Sequence, residues 1–167
     1  MTQSIEPMLR LLYYIPEGIV IGTAALTYVG LRPPLKRIIL FGVVYGFTIF
    51  ICRDLFLPAI NLGPGFHTII LFVFNALFLK VLFHLTIPGS LICSFLYFLT
   101  LFIIEPLTFS FLKLFSISPA DVLSSPWNFI LSGWFNLGLV LAGVYIIRKK
   151  NFLLLPITQI IKDEKHG

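Results

Sequence analysis

The chain contains 167 residues, of which 58% are hydrophobic and only 11% are charged, and its formal net charge is +5. An average globular domain carries about 25% charged residues, so this composition excludes a water-soluble domain. The basic residues form short clusters beside apolar segments, which is typical of membrane topology and not of nucleic-acid binding. We therefore predict a multi-pass protein of the inner or plasma membrane, surrounded by the lipid bilayer.

Five segments are apolar and long enough for transmembrane helices, each of which needs about 20 residues. We predict an all-α helix bundle, with a membrane domain over residues 1–150. The predicted spans are residues 8–31, 38–52, 66–85, 90–112 and 127–147. Residues 151–167 form a predicted amphipathic tail on the cytoplasmic side.

The first two spans are separated by the segment from Arg32 to Arg37, because two consecutive prolines and three cations do not continue a helix through hydrocarbon. The second span is short, so we expect it to gain length at its ends or to lie in a thinner bilayer. It stops at Arg53-Asp54. The next segment, Leu55 to Gly65, is too short to cross and contains Gly63-Pro64-Gly65, which predicts an interfacial or re-entrant loop.

Prolines mark the second half of the chain. A tight turn at Pro88-Gly89 is predicted to join the third and fourth spans, and Glu105-Pro106 is predicted to interrupt the fourth. Ser118 to Asp121 has the pattern of a helix N-cap followed by Pro at the first helical position. A short surface helix is therefore expected before the fifth span.

The distribution of Lys and Arg predicts the orientation. If the N-terminus is outside, the clusters Arg32–Arg37 and Arg148–Lys150 and the lysines of the tail face the cytoplasm, which gives eight cations inside. Only Arg10, Arg53 and Lys113 then lie outside. Because cytoplasmic loops concentrate Lys and Arg, we predict an outside N-terminus, and five spans then place the C-terminus inside.

Ionisable side chains within the spans are unfavourable in hydrocarbon and are candidates for function. Glu17, Arg53 and Glu105 come from three different spans, and the predicted topology places all three toward the outside. With His67, at the outer start of the third span, they are the predicted ligand-binding residues. One alternative is a structural ion-pair cluster that holds three helices together, and another is proton or ion transport.

Lys80 and His84 lie four residues apart, in the inner half of the third span. We predict that they share one helix face and couple the membrane domain to the cytoplasm. The alternative is that Lys80 only extends its ammonium group to the inner headgroups. Cys52 and Cys93 lie in apolar segments and are predicted to be buried thiols. The sequence shows no catalytic, metal-binding or cofactor motif, so we expect a non-catalytic protein.

Two GxxxG motifs, Gly18 with Gly22 and Gly42 with Gly46, allow close approach of helix backbones. Contact between the first two spans of one chain is one interpretation. A homo-oligomer that forms through either motif is the other.

The order of these features resembles a known family. It reads Pro16-Glu17-Gly18, then Gly30-Leu31-Arg32-Pro33-Pro34-Leu35-Lys36-Arg37, a second span that ends in Arg53, Leu57-Pro58, and Gly65-Phe66-His67-Thr68. Over residues 10–150, this order resembles the multispan sensor region of Gram-positive histidine kinases with GHKL-type ATPase domains. It is also similar to free-standing small membrane proteins of those bacteria.

The resemblance implies a receptor-type membrane domain that senses a peptide or small ligand, with Glu17, Arg53 and His67 at the matching positions. No kinase part follows the fifth span in this sequence, so any output would pass through a membrane or cytoplasmic partner protein.

We therefore predict a non-catalytic sensory or regulatory membrane protein that binds an extracellular ligand or partner. One alternative is the membrane substrate-binding subunit of a vitamin-type importer, in which Gly63-Pro64-Gly65 and Glu105-Pro106 would supply unwound backbone. The other is an accessory scaffold subunit of a membrane complex.

Overall fold

The computed structural model describes residues 6–56, 66–114, 116, 118, 121–122 and 125–150, and all regular structure within these residues is helical. The helices are α1 (Glu6–Leu9), α2 (Leu11–Tyr28), α3 (Leu35–Phe50), α4 (Phe66–Phe83), α5 (Ile87–Lys113) and α6 (Pro126–Lys150). A π-helical segment, Ile51–Phe56, continues α3 directly. The first two residues of the predicted loop at 55–65, Leu55 and Phe56, belong to this π-helical segment and not to a loop. The rest of that loop and the predicted tail at 151–167 lie outside the described residues.

Four helical segments are long and apolar enough to cross a membrane. They are Leu35–Leu55, Phe66–Phe83, Ile87–Lys113 and Pro126–Lys150. These segments correspond to the second to fifth predicted spans, so the all-helical multi-pass membrane class is confirmed. The π-helical segment carries the second span to 21 residues, which confirms that this span gains length at its end and corrects the predicted stop at Arg53-Asp54.

The first predicted span corresponds to α2, which is not among these four segments. Its regular part begins at Leu11 and not at Met8, since α1 and α2 are separate elements on either side of Arg10. Polar, small and aromatic side chains are interspersed among the aliphatic residues of α2, and most of its residues are buried. Such a composition suits a helix that is surrounded by other helices more than one that faces lipid.

Two predictions about proline are wrong. Helix α5 is continuous through Pro106, so Glu105-Pro106 does not interrupt it. Pro88 and Gly89 belong to the first turn of α5, where the Thr86 hydroxyl accepts a hydrogen bond from the Gly89 amide at 3.2 Å. Proline is tolerated in the first turn because its missing N–H has no helical acceptor there.

The chain reverses direction at His84 instead, which has a φ of 54°. The Leu85 amide donates to the Lys80 carbonyl at 3.2 Å, as in a Schellman C-cap. His84 therefore lies beyond the end of α4, and the prediction that Lys80 and His84 share one helix face is wrong.

Helices α2 and α3 pack in antiparallel orientation through their glycines. A Cβ atom on Gly18 would lie 2.9 Å from the Gly42 Cα, and one on Gly46 would lie 2.9 Å from the Ile15 Cα. Both GxxxG motifs are therefore used within one chain. The predicted homo-oligomer through these motifs is not supported, because their backbone surfaces already contact each other.

Helix α2 also contacts α5 and α6, while α3, α4, α5 and α6 follow one another around it. The orientation of α6 is parallel to α2. Trp134 Nε1 donates to the Leu12 carbonyl at 3.3 Å, and Arg148 Nη2 donates to the Thr27 hydroxyl at 3.1 Å. The first contact joins the first half of α6 to the start of α2, and the second joins the end of α6 to the end of α2.

The cations separate the two ends of the bundle. Arg37 Nη1 donates to the Leu82 carbonyl at 3.2 Å, so the start of α3 lies beside the end of α4. We call this end, with Arg32–Arg37, Lys80 and Arg148–Lys150, the basic end. The opposite end, where α2 and α4 begin and α5 ends, is called the cavity end.

The surface segment between α5 and α6 begins as its sequence predicts. The Asp121 amide donates to Ser118 Oγ at 3.2 Å, and the Ser118 amide donates to Asp121 Oδ2 at 2.8 Å. This reciprocal pair is a capping box, and Asp121 and Val122 are helical. The prediction that Ser118 caps a helix is confirmed for the described residues.

Candidate functional site

A cavity of about 130 Å³ lies at the cavity end of the bundle. Its ionisable lining residues are Glu17 from α2, Arg53 from the π-helical segment, His67 from α4 and Glu105 from α5. The four residues that the sequence predicts as ligand-binding therefore line one cavity. The other lining residues are Tyr45, Ile49, Thr68, Leu71, Phe98, Leu101 and Phe102.

The positions of the residues in their helices explain this convergence. At 1.5 Å per residue, Glu17 lies about 9 Å from the start of α2, and Glu105 lies about 12 Å from the end of α5. Arg53 is in the segment that ends α3, and His67 is the second residue of α4. Antiparallel neighbours thus bring all four side chains to a similar depth at one end of the bundle.

Glu17 is the most buried of the four, with 5% of its surface exposed. Among the described residues, it has no hydrogen bond and no ion pair within 4.0 Å. A buried carboxylate without a partner is strongly unfavourable when it is ionised. The cavity is the space from which a compensating group could reach it.

Arg53 supplies the positive charge of the cavity. Its guanidinium carbon lies 5.9 Å from the centroid of the Tyr14 ring, within cation–π distance. It attracts both Glu17 and Glu105 electrostatically. No ion pair within 4.0 Å joins it to either carboxylate in the described part of the chain. The alternative of a structural cluster that holds three helices together would therefore depend on attraction over a longer distance, and it stays a prediction.

If both carboxyl groups are ionised and His67 is neutral, the formal charge of the lining is −1, because two carboxylates then face one guanidinium. This imbalance, together with the separation of the charges, leaves polar groups of both signs available to a ligand.

An ion pair that the sequence analysis did not predict stabilises the edge of the cavity beside Arg53. Arg10 Nη1 and Asp54 Oδ1 form an ion pair at 2.7 Å. Arg10 also stands over the Phe129 ring, at 5.7 Å from its centroid. The pair ties the turn before α2 to the π-helical segment and so positions the adjacent Arg53. The sequence could have indicated this ion pair, because the predicted topology places both Arg10 and Asp54 on the outer side.

Three buried polar side chains below the cavity were also missed. Tyr45 lines the cavity, and its ring meets the Tyr97 ring edge-on with 5.3 Å between centroids. Asn75 is fully buried beside Tyr45. The Tyr97 hydroxyl has no hydrogen-bond partner in the described structure, and the Asn75 amide interacts with the Tyr45 hydroxyl. The single amide within apolar α4 is the sequence signal for this cluster.

The predicted coupling residues are not part of this site. Lys80 and His84 are exposed at the basic end, and their side chains make no hydrogen bond or ion pair with other described residues. The cations that do bridge helices there are Arg37 and Arg148. A coupling role for Lys80 and His84 stays a prediction.

The two thiols, Cys52 and Cys93, are both free and buried, as their apolar surroundings predict. Within the described ranges, no three His, Cys, Asp or Glu side chains cluster closely enough to hold a metal ion. The side chains in the cavity that can carry a full charge at neutral pH include one guanidinium and two carboxyl groups. These groups bind the charged parts of organic ligands through charge-assisted hydrogen bonds.

Comparison of the chain with protein-family models, with curated proteins and with solved structures gave no match. The resemblance to the sensor region of GHKL-type histidine kinases thus stays a prediction from the residues that carry it.

Proposed function

We propose that this chain is a non-catalytic sensory or regulatory membrane protein that binds a small ligand in the cavity at the cavity end. One observation carries the proposal. Four ionisable residues from four separate helical segments line one cavity, and the most buried of them, Glu17, lacks a partner among the described residues. Polar groups that a fold leaves unpaired in a concave site are those that a ligand can satisfy.

We propose further that α2 crosses the membrane with the other four long helices. Its contacts with α6 extend from Leu12 to Thr27, and at 1.5 Å per residue this distance is about 22 Å. A helix beside α6 over that length lies at the same depth as its neighbour. The basic end then faces the cytoplasm by the positive-inside rule, and the cavity end faces outside.

Helix α2 is the element that would carry a signal inward. It holds Glu17 at the cavity, and its last residues lie at the basic end, where Thr27 binds Arg148. The amides of Gly30 and Leu31 donate to the carbonyls of Thr27 and Leu26. A ligand that changes the charge state or packing of Glu17 therefore acts on a helix that contacts three others.

Hydrogen exchange tests this coupling without knowledge of the ligand. In Glu17→Gln, the side chain can no longer carry an unpartnered charge, so α2 packs more stably. We expect slower exchange of the Gly30 and Leu31 amides in the full chain in detergent, where no lipid or other ligand is supplied to the cavity. Lys113→Gln removes a charge at the same end without lining the cavity, and it serves as the matched control. Unchanged exchange at Gly30 and Leu31 in Glu17→Gln would contradict inward coupling.

The importer-subunit alternative has less support, because α5 is continuous at Glu105-Pro106 and offers no unwound backbone there. The scaffold alternative does not account for a buried carboxylate that faces a cavity.

A further inference from the structure

We infer that the ligand is a membrane lipid with an ammonium and a phosphate in its headgroup, of the phosphatidylethanolamine type. This inference rests on the proposed function, since the headgroup would occupy the same cavity. Three features of the described residues support it: an apolar groove that adjoins the cavity, the direction of that groove, and the arrangement of charges.

An apolar groove of about 280 Å³ runs between α4 and α5. It shares Thr68, Phe98 and Phe102 with the cavity, so the two spaces have a common wall. Beyond that wall, the groove continues to Phe72 and Phe95. A charged cavity next to an apolar groove matches a molecule that has one polar and one apolar part.

The groove runs toward the centre of the bundle. In α5, Phe95 lies seven residues closer to the basic end than Phe102, which is about 10 Å along the helix. In α4, Phe72 is likewise farther from the cavity end than Thr68. A lipid whose head lies at the cavity end directs its acyl chains toward the middle of the bilayer. The groove has this direction, whereas a water-soluble ligand would leave it unused.

The charged side chains of the cavity indicate which headgroup would bind. Glu17 and Glu105 can accept hydrogen bonds from an ammonium group, and the Arg53 guanidinium matches a phosphate. A headgroup with a phosphate alone would bring a negative charge to two carboxylates. An ammonium next to a phosphate satisfies both signs, including the unpartnered Glu17.

The size of the cavity agrees with this assignment. A cavity of about 150 Å³ holds a molecule the size of benzene, and this cavity measures about 130 Å³. It therefore has room for the ethanolamine part of the headgroup, which has fewer heavy atoms than benzene. A sugar-bearing headgroup or a peptide would not fit without a large rearrangement.

Native mass spectrometry of the full chain tests the inference. The chain is released from nanodiscs made of equal amounts of phosphatidylethanolamine and phosphatidylglycerol, and the retained lipid is identified. We expect phosphatidylethanolamine to be enriched over its share of the bilayer. In Glu17→Gln, this enrichment should fall about tenfold, as for the loss of one charge-assisted hydrogen bond. Equal retention of both lipids by the wild type, or full enrichment in Glu17→Gln, would overturn the inference.

The groove is tested separately, by a variant that leaves the charges intact. Thr68→Trp fills the wall between cavity and groove and should abolish lipid retention. Ile103→Trp places the same ring on a lipid-facing position of α5 outside the groove, and it should retain lipid as the wild type does. Equal lipid retention by the two variants would show that no acyl chain lies in the groove.

A third arm separates a lipid from a free headgroup. Soluble phosphoethanolamine is added to the chain in nanodiscs of phosphatidylglycerol alone, and we expect no binding that survives release. Retention of phosphoethanolamine without an acyl chain would overturn the lipid assignment. Slower exchange at Gly30 and Leu31 in Glu17→Gln would then still support the proposed function, so the two failures are distinguishable.

Discussion

Trp134 Nε1 donates a hydrogen bond to the carbonyl of Leu12 at 3.3 Å. In a regular helix this carbonyl would accept from the amide four residues later, but that residue is Pro16, which has no amide hydrogen. The indole therefore replaces the missing donor. This contact explains how α2 continues through Pro16, and it fixes α6 beside the start of α2.

A double-mutant cycle measures that replacement. Trp134→Phe keeps the apolar bulk and removes the donor, so we expect a loss of about 1 kcal/mol in the free energy of unfolding. Pro16→Ala restores the helical donor, and in that background Trp134→Phe should have a much smaller effect. Thermal unfolding in detergent provides the readout. Equal losses in both backgrounds would show that the indole does not compensate for the proline.

A substitution at the glycine contact between α2 and α3 should lower the unfolding midpoint more than the loss of the Trp134 hydrogen bond does. In Gly18→Ala the new Cβ atom would lie 2.9 Å from the Gly42 Cα, where only backbone can yield. Overpacking of this kind destabilises by about 1–3 kcal/mol, so the unfolding midpoint should fall. Gly138→Ala is the matched control in α6, because no atom lies within 4 Å of its Cβ position. A similar midpoint for the two variants would contradict close backbone contact at Gly18.

The C-terminus of α4 offers a stabilising substitution. His84 has a φ of 54°, a conformation that is unfavourable by about 1–2 kcal/mol for residues with a Cβ atom. His84→Gly should therefore raise the unfolding midpoint, since Gly is the preferred residue at this position of a Schellman cap. Gly30→Ala, at a φ of 83°, should lower it. A lower midpoint for His84→Gly would mean that the imidazole contributes contacts that outweigh the strain.

The capping box outside the bundle makes a pH prediction. The hydroxyl and amide of Ser118 donate to the Asp121 carboxylate, and these hydrogen bonds lower the pKa of Asp121. A lowered pKa in the folded state stabilises the cap at pH values above the ordinary Asp range. That stabilisation is lost as the pH falls through the folded-state pKa. In Ser118→Ala, the pKa should return toward its ordinary value, as measured by carboxyl NMR titration, and an unchanged pKa would contradict the cap.

Much of the site could be predicted because depth in a membrane bundle follows from position along each span. Glu17, Arg53, His67 and Glu105 are each near the same end of an apolar segment, and alternating helix directions bring such residues together. Local sequence therefore carried enough information to place these four residues around one cavity.

The interhelical contacts could not be predicted in this way. Pro16 does not interrupt α2, because the Trp134 indole supplies the lost donor. Helix α5 likewise continues through Pro106. The Arg10–Asp54 pair and the burial of Asn75 beside Tyr45 depend on which sides of the helices contact each other. Hydropathy along the sequence does not determine how each helix is rotated about its own axis relative to its neighbours.

The most direct test of an outward-facing cavity is thiol labelling in intact cells. His67→Cys and Lys150→Cys are made in a background that carries Cys52→Ala and Cys93→Ala, and each variant is exposed to a membrane-impermeant reagent. We predict labelling of His67→Cys from outside, and labelling of Lys150→Cys only after the membrane is permeabilised. Labelling of Lys150→Cys in intact cells, with protection of His67→Cys until permeabilisation, would contradict an extracellular ligand site.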